Sequence, residues 1–431
     1  MNRGFGFLQS RSNTENPMFN THYAKFNLPQ RCLLALCLCV SVVQPLRSHA
    51  QTLSFPATQA EQQYVIQTTL HTPLNLRSIC FSADGKTLYV GAYKQVLVWS
   101  LAEAKLAATL TDPSLTNIIS AMCLCNDGKK LAVSGTTPDS STSPIVLFDT
   151  SSNKATATLQ QTGDTVQCML ARNAAKQLIV GTYDGQLTMW NVVEKKVEKE
   201  FSQEASAITA LATDDKEQWL AFGTQGGQVE AIDLSKEFTT VFRETVDGAA
   251  LSLLFENGKT ANIAVAVGGP KETAVRVIPA KSPRSKRKYD QTPQKPLDLA
   301  WSAQNKMTYL AGSDHTIVTW QRANKIEKTF KAHTNWVTHM TLSPDEKLLA
   351  SVSLDGTTRI WDAKEGLLLA TLLQLAPQSD NWLIITSQGT FNASSPQVVT
   401  FYNQPDSVQA NLKNQWQTPA KVSQHLGFDA K

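Results

Sequence analysis

The sequence predicts an all-β ring of four-stranded blades, a β-propeller, and three observations carry that prediction. Seven times a short apolar run closes on one large side chain, at Trp99, Phe148, Trp190, Ile232, Ile278, Trp320 and Trp361, with gaps of 49, 42, 42, 46, 42 and 41 residues. Between these positions the chain alternates apolar and polar residues and is punctuated by turns such as SADGK and CNDGK, as half-buried strands joined by tight turns do. Finally, a unit of about 42 residues cannot bury its own hydrophobic face, so such units stack into an array.

Ahead of the array, residues 32–43 (CLLALCLCVSVV) follow Lys25 and Arg31 and precede Ser48, His49 and Ala50. This reads as a secretory signal peptide over residues 1–50, cleaved after Ala50 to leave Gln51 as the mature N-terminus. The run is shorter than the roughly 20 apolar residues of a membrane helix, so no transmembrane segment is expected after cleavage. Leu36 before Cys37 argues against lipidation, and the acid-free stretch from Met18 to Ala50 makes Met18 a candidate start. Export implies a periplasmic or secreted location.

Charge follows from the same assignment. Residues 1–50 hold Arg3, Arg11, Lys25, Arg31 and Arg47 against Glu15, a net +4 that equals the formal net charge of the whole chain. The remainder is neutral, which removes any global argument for nucleic acid as a partner. One local basic segment remains, KSPRSKRK at 281–288, where the outer strand of the fifth blade is expected. It reads as a solvated loop or, alternatively, as a small anionic docking patch.

The unit from His333 to Asp362, HTNWVTHMTLSPDEKLLASVSLDGTTRIWD, shows the strand pattern most clearly. VTHMTLS and LLASVS alternate on a period of two around the turn SPDEK, TTRIWD returns as a third strand, and EGLLLATL supplies the outer one. Position by position this unit resembles the WD40 repeat family, and DNWLIITSQGTFNASS beyond Thr371 resembles the closing segment that follows WD40 arrays in bacterial proteins, which with the signal peptide implies the exported bacterial type. The resemblance implies a structural tetrad of His333, a strand serine (Ser351 in preference to Ser353), Asp355 and Trp361, hydrogen-bonded within the blade. It also implies blade-turn acids at Asp184 and Asp314, which precede their tryptophans by the same offset as Asp355 precedes Trp361. The blade at Ile232 departs from the pattern with Gly226 there, and the blade at Phe148 has the longer loop TTPDSSTSP.

After Thr371, WLIIT, GTFNA and QVVTFYN read as three more strands, with Phe401 falling 40 residues after Trp361. They predict an eighth, degenerate blade closed by the N-terminal strand QYVIQTTL at 63–70, so that no sheet edge stays open. Seven blades, with residues 381–403 as an appendage, are the alternative. Val408, Leu412 and Trp416 recur every four residues after Pro405, and Thr418–Pro419 precedes Val422 and Leu426, with Gly427 as a stop. Two short C-terminal helices follow. The domain reading is therefore a signal peptide at 1–50, a propeller at 51–403 and a helical tail at 404–431.

Cys80, Cys123, Cys125 and Cys168 all fall in predicted innermost strands without a zinc spacing, so packing is their expected role, with room for at most one bridge in an oxidising compartment. No nucleophile motif, phosphate loop or paired zinc histidines occurs. No catalytic residue, metal or cofactor is therefore expected. The function expected is a monomeric, exported, non-enzymatic interaction module or scaffold in the cell envelope, with a protein partner that the sequence does not name. The resemblance implies a binding face made by the loops leading to the innermost strands and by the turns before the third strands. Its candidate contacts are Trp336, Tyr183, Tyr93, His315 and Leu354; Trp336 reads equally as a blade-packing residue. Two alternatives stand beside this: a propeller enzyme or small-ligand protein using the central channel, and an envelope-assembly accessory factor resting on fold analogy alone.

Overall fold

The computed structural model describes residues 50–59, 62–71, 75–138, 140–201, 203–256, 262–279, 287–289, 292, 294–320 and 325–428. Of the expected signal peptide only Ala50 is among these residues. Seven blades follow in order, spanning 78–110, 119–162, 166–200, 208–245, 249–289, 296–331 and 337–374. Each is an antiparallel meander whose strands pair only with their sequence neighbours. Second strands are the most buried, because blades cover both of their faces: Leu348–Ser353 is buried throughout. Outer strands meet water, and Lys196–Glu200 of blade 3 is exposed along its whole length, its charges blunting the sheet edge. In blade 5 the outer position is taken by Arg287–Tyr289, the end of the basic segment.

Six inner strands carry a β-bulge near their start, at Ser120, Gln167, Thr209, Leu251, Leu297 and Thr338. A bulge leaves one residue out of the ladder and turns it toward a neighbour. The freed hydroxyls use that freedom. Thr209 Oγ1 donates to the Ala250 carbonyl of the next blade at 2.5 Å, and Thr338 Oγ1 donates to the Leu76 carbonyl at 2.6 Å. The second bond joins blade 7 to the residue leading into blade 1, so the ring closes at seven.

The described residues form eight sheets, as the sequence predicts, and the two end segments do pair: Ile66 lies opposite Phe401 and Gln67 opposite Thr400. The sheet they form is not a sector of the ring. β1 (Gln51–Gln59) and β2 (Gln62–Leu70) make a hairpin that adds the short strand Thr400–Phe401. The two other strands assigned to an eighth blade, Trp382–Thr386 and Phe391–Ala393, instead extend blade 7 to six strands. The physical reason is that blades 7 and 1 already bury their facing apolar surfaces against each other. Leu348, Ala350, Val352 and Ile360 pack with Ile79, Leu88, Val90 and Trp99 in one cluster, which leaves no place for another blade.

The extension instead covers that seam from outside. Trp382 meets Trp99 edge to face with ring centroids 6.1 Å apart, and Asn392 Nδ2 donates to the Ala104 carbonyl of blade 1 at 2.9 Å. Helix α1 (Asp406–Trp416) buries Leu412 and Trp416 against Ala57, Ile66, Phe391 and Phe401, while Val408 of the expected stripe remains exposed. Helix α2 (Pro419–His425) inserts Val422, and Leu426 just beyond it, into the blade 7–blade 1 cluster; its Ser423 hydroxyl donates to the Ala102 carbonyl at 2.7 Å. At Gly389, with φ +91°, any Cβ would collide with Ala57 of β1, so the extension and the hairpin approach closely.

Candidate interaction face and central channel

The strand order fixes which residues share a face. In a four-stranded meander, the second-to-third turn and the connection into the next inner strand lie at the same end of the blade. Tyr93, Tyr183, His315 and Leu354 occupy second-to-third turns of blades 1, 3, 6 and 7, and Trp336 ends the connection into blade 7. All five therefore come to one end of the propeller. Tyr93 and His315 are exposed, whereas Tyr183, Trp336 and Leu354 are half-buried.

Their backbones are held. Tyr183 N–H donates to the Thr165 carbonyl at 2.9 Å, Leu354 N–H to the Trp336 carbonyl at 3.0 Å, and Trp336 N–H to Asn335 Oδ1 at 2.8 Å. His315 takes a left-handed φ of 71°, which histidine tolerates better than most residues. Two of the aromatic rings carry cations: Lys295 Nζ stands 5.6 Å from the Trp336 centroid and Lys94 Nζ 5.2 Å from that of Tyr93.

Beneath this face lies a connected chain of buried polar groups. His333 Nδ1 is 2.9 Å from Asp355 Oδ2, His333 Nε2 is 2.8 Å from Ser351 Oγ, and Trp361 Nε1 donates to Ser351 Oγ at 2.9 Å. One proton arrangement satisfies every member: Nδ1–H donates to the carboxylate, the serine hydroxyl donates to Nε2, and the indole donates to the serine. Asp355 also accepts from the Thr334 and Thr357 N–H groups at 3.0 and 2.9 Å. Burial opposes ionisation of Asp355, yet the His333 charge and hydrogen bond, with Arg359 beside them, hold its carboxyl well below the usual range. Burial also lowers His333, outweighing the pull of Asp355, so the imidazole is neutral near pH 7. Ser353 stands outside the chain, donating to the Asn335 carbonyl and accepting from Asp355 N–H.

Asp184 and Asp314 are not parts of such chains. Each accepts from a threonine of its own turn, Thr182 Oγ1 at 2.6 Å and Thr316 Oγ1 at 2.8 Å. In blade 3 a residue that sequence reasoning passed over does the bridging instead: Gln161 Oε1 accepts from Trp190 Nε1 at 2.7 Å and from Thr188 Oγ1 at 2.6 Å.

The central channel, about 240 Å³, is lined by residues of all seven inner strands or their approaches. That is room for several waters. The four cysteines of the described blades are unbridged, and burial pushes the Cys80 and Cys168 thiols up to about 12, which leaves them poor nucleophiles. Among the described residues no group of His, Cys, Asp and Glu has the arrangement of a metal site, and no helix is long and apolar enough to cross a membrane.

Comparison with known proteins agrees with this geometry. Residues 324–362 match the family model described as WD domain, G-beta repeat. One stretch is similar to the nuclear distribution protein nudF of Emericella nidulans, 42% identical over 60 residues, which is 14% of each chain. Another is similar to the small ribosomal subunit protein RACK1 of Neurospora crassa, 27% identical over 124 residues, covering 28% of this chain and 38% of that one. WD repeat-containing protein 97 of Homo sapiens is 38% identical over 65 residues, 15% of this chain and 4% of its own. The likeness thus spans well under two thirds of each of these relatives. Among solved structures, a chain of the crystal structure of the mitotic checkpoint complex superposes with a TM-score of 0.57 at 17% identity, covering 80% of this chain and 99% of that chain. That likeness concerns the fold.

Proposed function

We propose that this chain is an exported, monomeric, non-enzymatic propeller that docks a protein partner on the face carrying Trp336, Tyr183, Tyr93, His315 and Leu354. The observation that carries the reading is the common placement of those side chains. Five residues from four blades come to one end of the ring, and the backbones of Tyr183, Leu354 and Trp336 are fixed by hydrogen bonds, so a partner finds large contact areas at small entropic cost. Trp336 stands at the centre of the proposal because its connection is braced by the buried chain from His333 to Trp361. The proposed location, periplasmic or secreted, rests on the sequence of residues 1–50 alone.

A photo-crosslinking residue at position 336, compared with one at the exposed Lys347 on the opposite face, tests the docking reading in cells. Capture of one defined partner from 336 and not from 347 is the expected result; capture from 347 alone contradicts it. N-terminal sequencing of the protein from fractionated cells tests export, with Gln51 expected and intact residues 1–50 on cytoplasmic protein contradicting it.

A further inference from the structure

Apart from Cys168, the channel is lined by three ionisable side chains, Arg77, Asp298 and His339, on or beside the inner strands of blades 1, 6 and 7. Asp298 is already engaged. Its Oδ1 accepts from Ser252 Oγ and its own neighbour Leu299 N–H, both at 2.9 Å, and its Oδ2 accepts from Met340 N–H at 2.9 Å. The carboxylate thus ties three successive inner strands together and has little capacity left for a ligand.

Arg77 and His339 are in the opposite condition. Thr338 Oγ1 bonds the Leu76 carbonyl across the seam, and the residue that follows each, His339 in the inner strand of blade 7 and Arg77 just ahead of that of blade 1, lines the channel. Arg77 Nε and His339 Nδ1 are both buried with no hydrogen-bond partner among the described residues. His339 Nε2, the other ring nitrogen, lies 3.7 Å from Asp298 Oδ2 of the neighbouring blade 6. Arg77 has no ion pair among the described residues. A half-buried guanidinium without a counter-charge is costly, and its planar fork matches a carboxylate.

We propose that the channel mouth between Arg77 and His339 is a carboxylate subsite that receives an acidic side chain of the docked partner. The inference rests on the interaction-face reading and names the chemistry of the partner's anchoring group. Trp336 ends the connection three residues before His339 of the inner strand, and Lys295 over its ring adds positive charge to that sector of the face. An acidic residue beside an apolar one would therefore meet both features at once.

Succinate serves as the probe, with the ¹⁵N and ring C–H resonances of His339 in the full chain as the readout. Succinate should shift them saturably, whereas chloride at equal ionic strength should not. Arg77→Gln should weaken the response roughly ten-fold, the equivalent of one charge-assisted hydrogen bond, and Arg77→Lys should retain most of it. Equal responses to chloride and succinate, an unaltered response in Arg77→Gln, or tighter binding of inorganic phosphate than of succinate would each overturn the proposal. Because the measurement needs no partner, its failure leaves the docking face standing, and failure of crosslinking from 336 leaves the subsite standing.

Discussion

At the residue scale, the same problem, satisfying a buried indole N–H, meets different outcomes around the ring. In blade 7 Ser351 links Trp361 to His333 and Asp355. In blade 3 the position matching Ser351 is Val180, which lies opposite Thr188 as Ser351 lies opposite Arg359, so the longer Gln161 reaches Trp190 directly. Blade 1 keeps a histidine at the matching distance, His71 being 28 residues before Trp99 as His333 is before Trp361. With Val90 in the serine position and Tyr93 in the acid position, His71 is left exposed and Trp99 Nε1 has no partner among the described residues. Trp361→Ala should therefore cost about 3–5 kcal/mol through the cavity and the broken chain, read as a lower melting temperature. Trp336→Ala should melt like the parent while losing crosslinking from neighbouring positions. The buried pair also sets a pH dependence. The unfolded chain takes up protons at histidine below about pH 6.5 and at aspartate below about 4, while both groups are depressed in the fold. Stability should thus fall on acidification through that window, and the melting temperature of His333→Gln should fall less steeply over the upper part of it.

Elements reveal what could be read from sequence and what could not. Strand positions in blade 7, the two helices and the pairing of residues 63–70 with the strand near 400 were legible, because each leaves a local trace: alternation, a Thr-Pro start, an apolar stripe. β1 left a poor trace, since Pro56 interrupts its pattern. It is tolerated because β1 is an edge strand that pairs only with β2. The bridging role of Gln161 was illegible for another reason: it lies on the outer strand of blade 2 and meets Trp190 of blade 3 only through the packing of neighbouring blades. Gln161→Leu should leave the Trp190 and Thr188 donors unsatisfied and cost about 1–3 kcal/mol, which chemical denaturation can measure.

For the whole molecule, the number of sheets was legible and their arrangement was not. Strand counting finds eight sheets, but membership of the ring depends on which apolar faces meet, and that is settled by the contact of blade 7 with blade 1 and by Thr338 at Leu76. The same seam aligns Arg77 with His339, and neither residue carries a sequence signal for it. Among the described residues no strand is shared between the first and last blades, so the ring is shut by side-chain packing and held from outside by the extension of blade 7, α1, α2 and the N-terminal hairpin. A ring closed in this way should depend on its clasp. Removing residues 381–431 strips Trp382, Val422 and Leu426 from the seam and uncovers Leu373, Leu375 and Ile66, leaving apolar surface and an open edge prone to association. The most direct measurement is the thermal melt and hydrodynamic size of residues 51–380 against 51–431. A product that aggregates, or melts well below the longer chain without cooperativity, is the predicted result; a monomer with a cooperative melt at the same temperature would contradict the account.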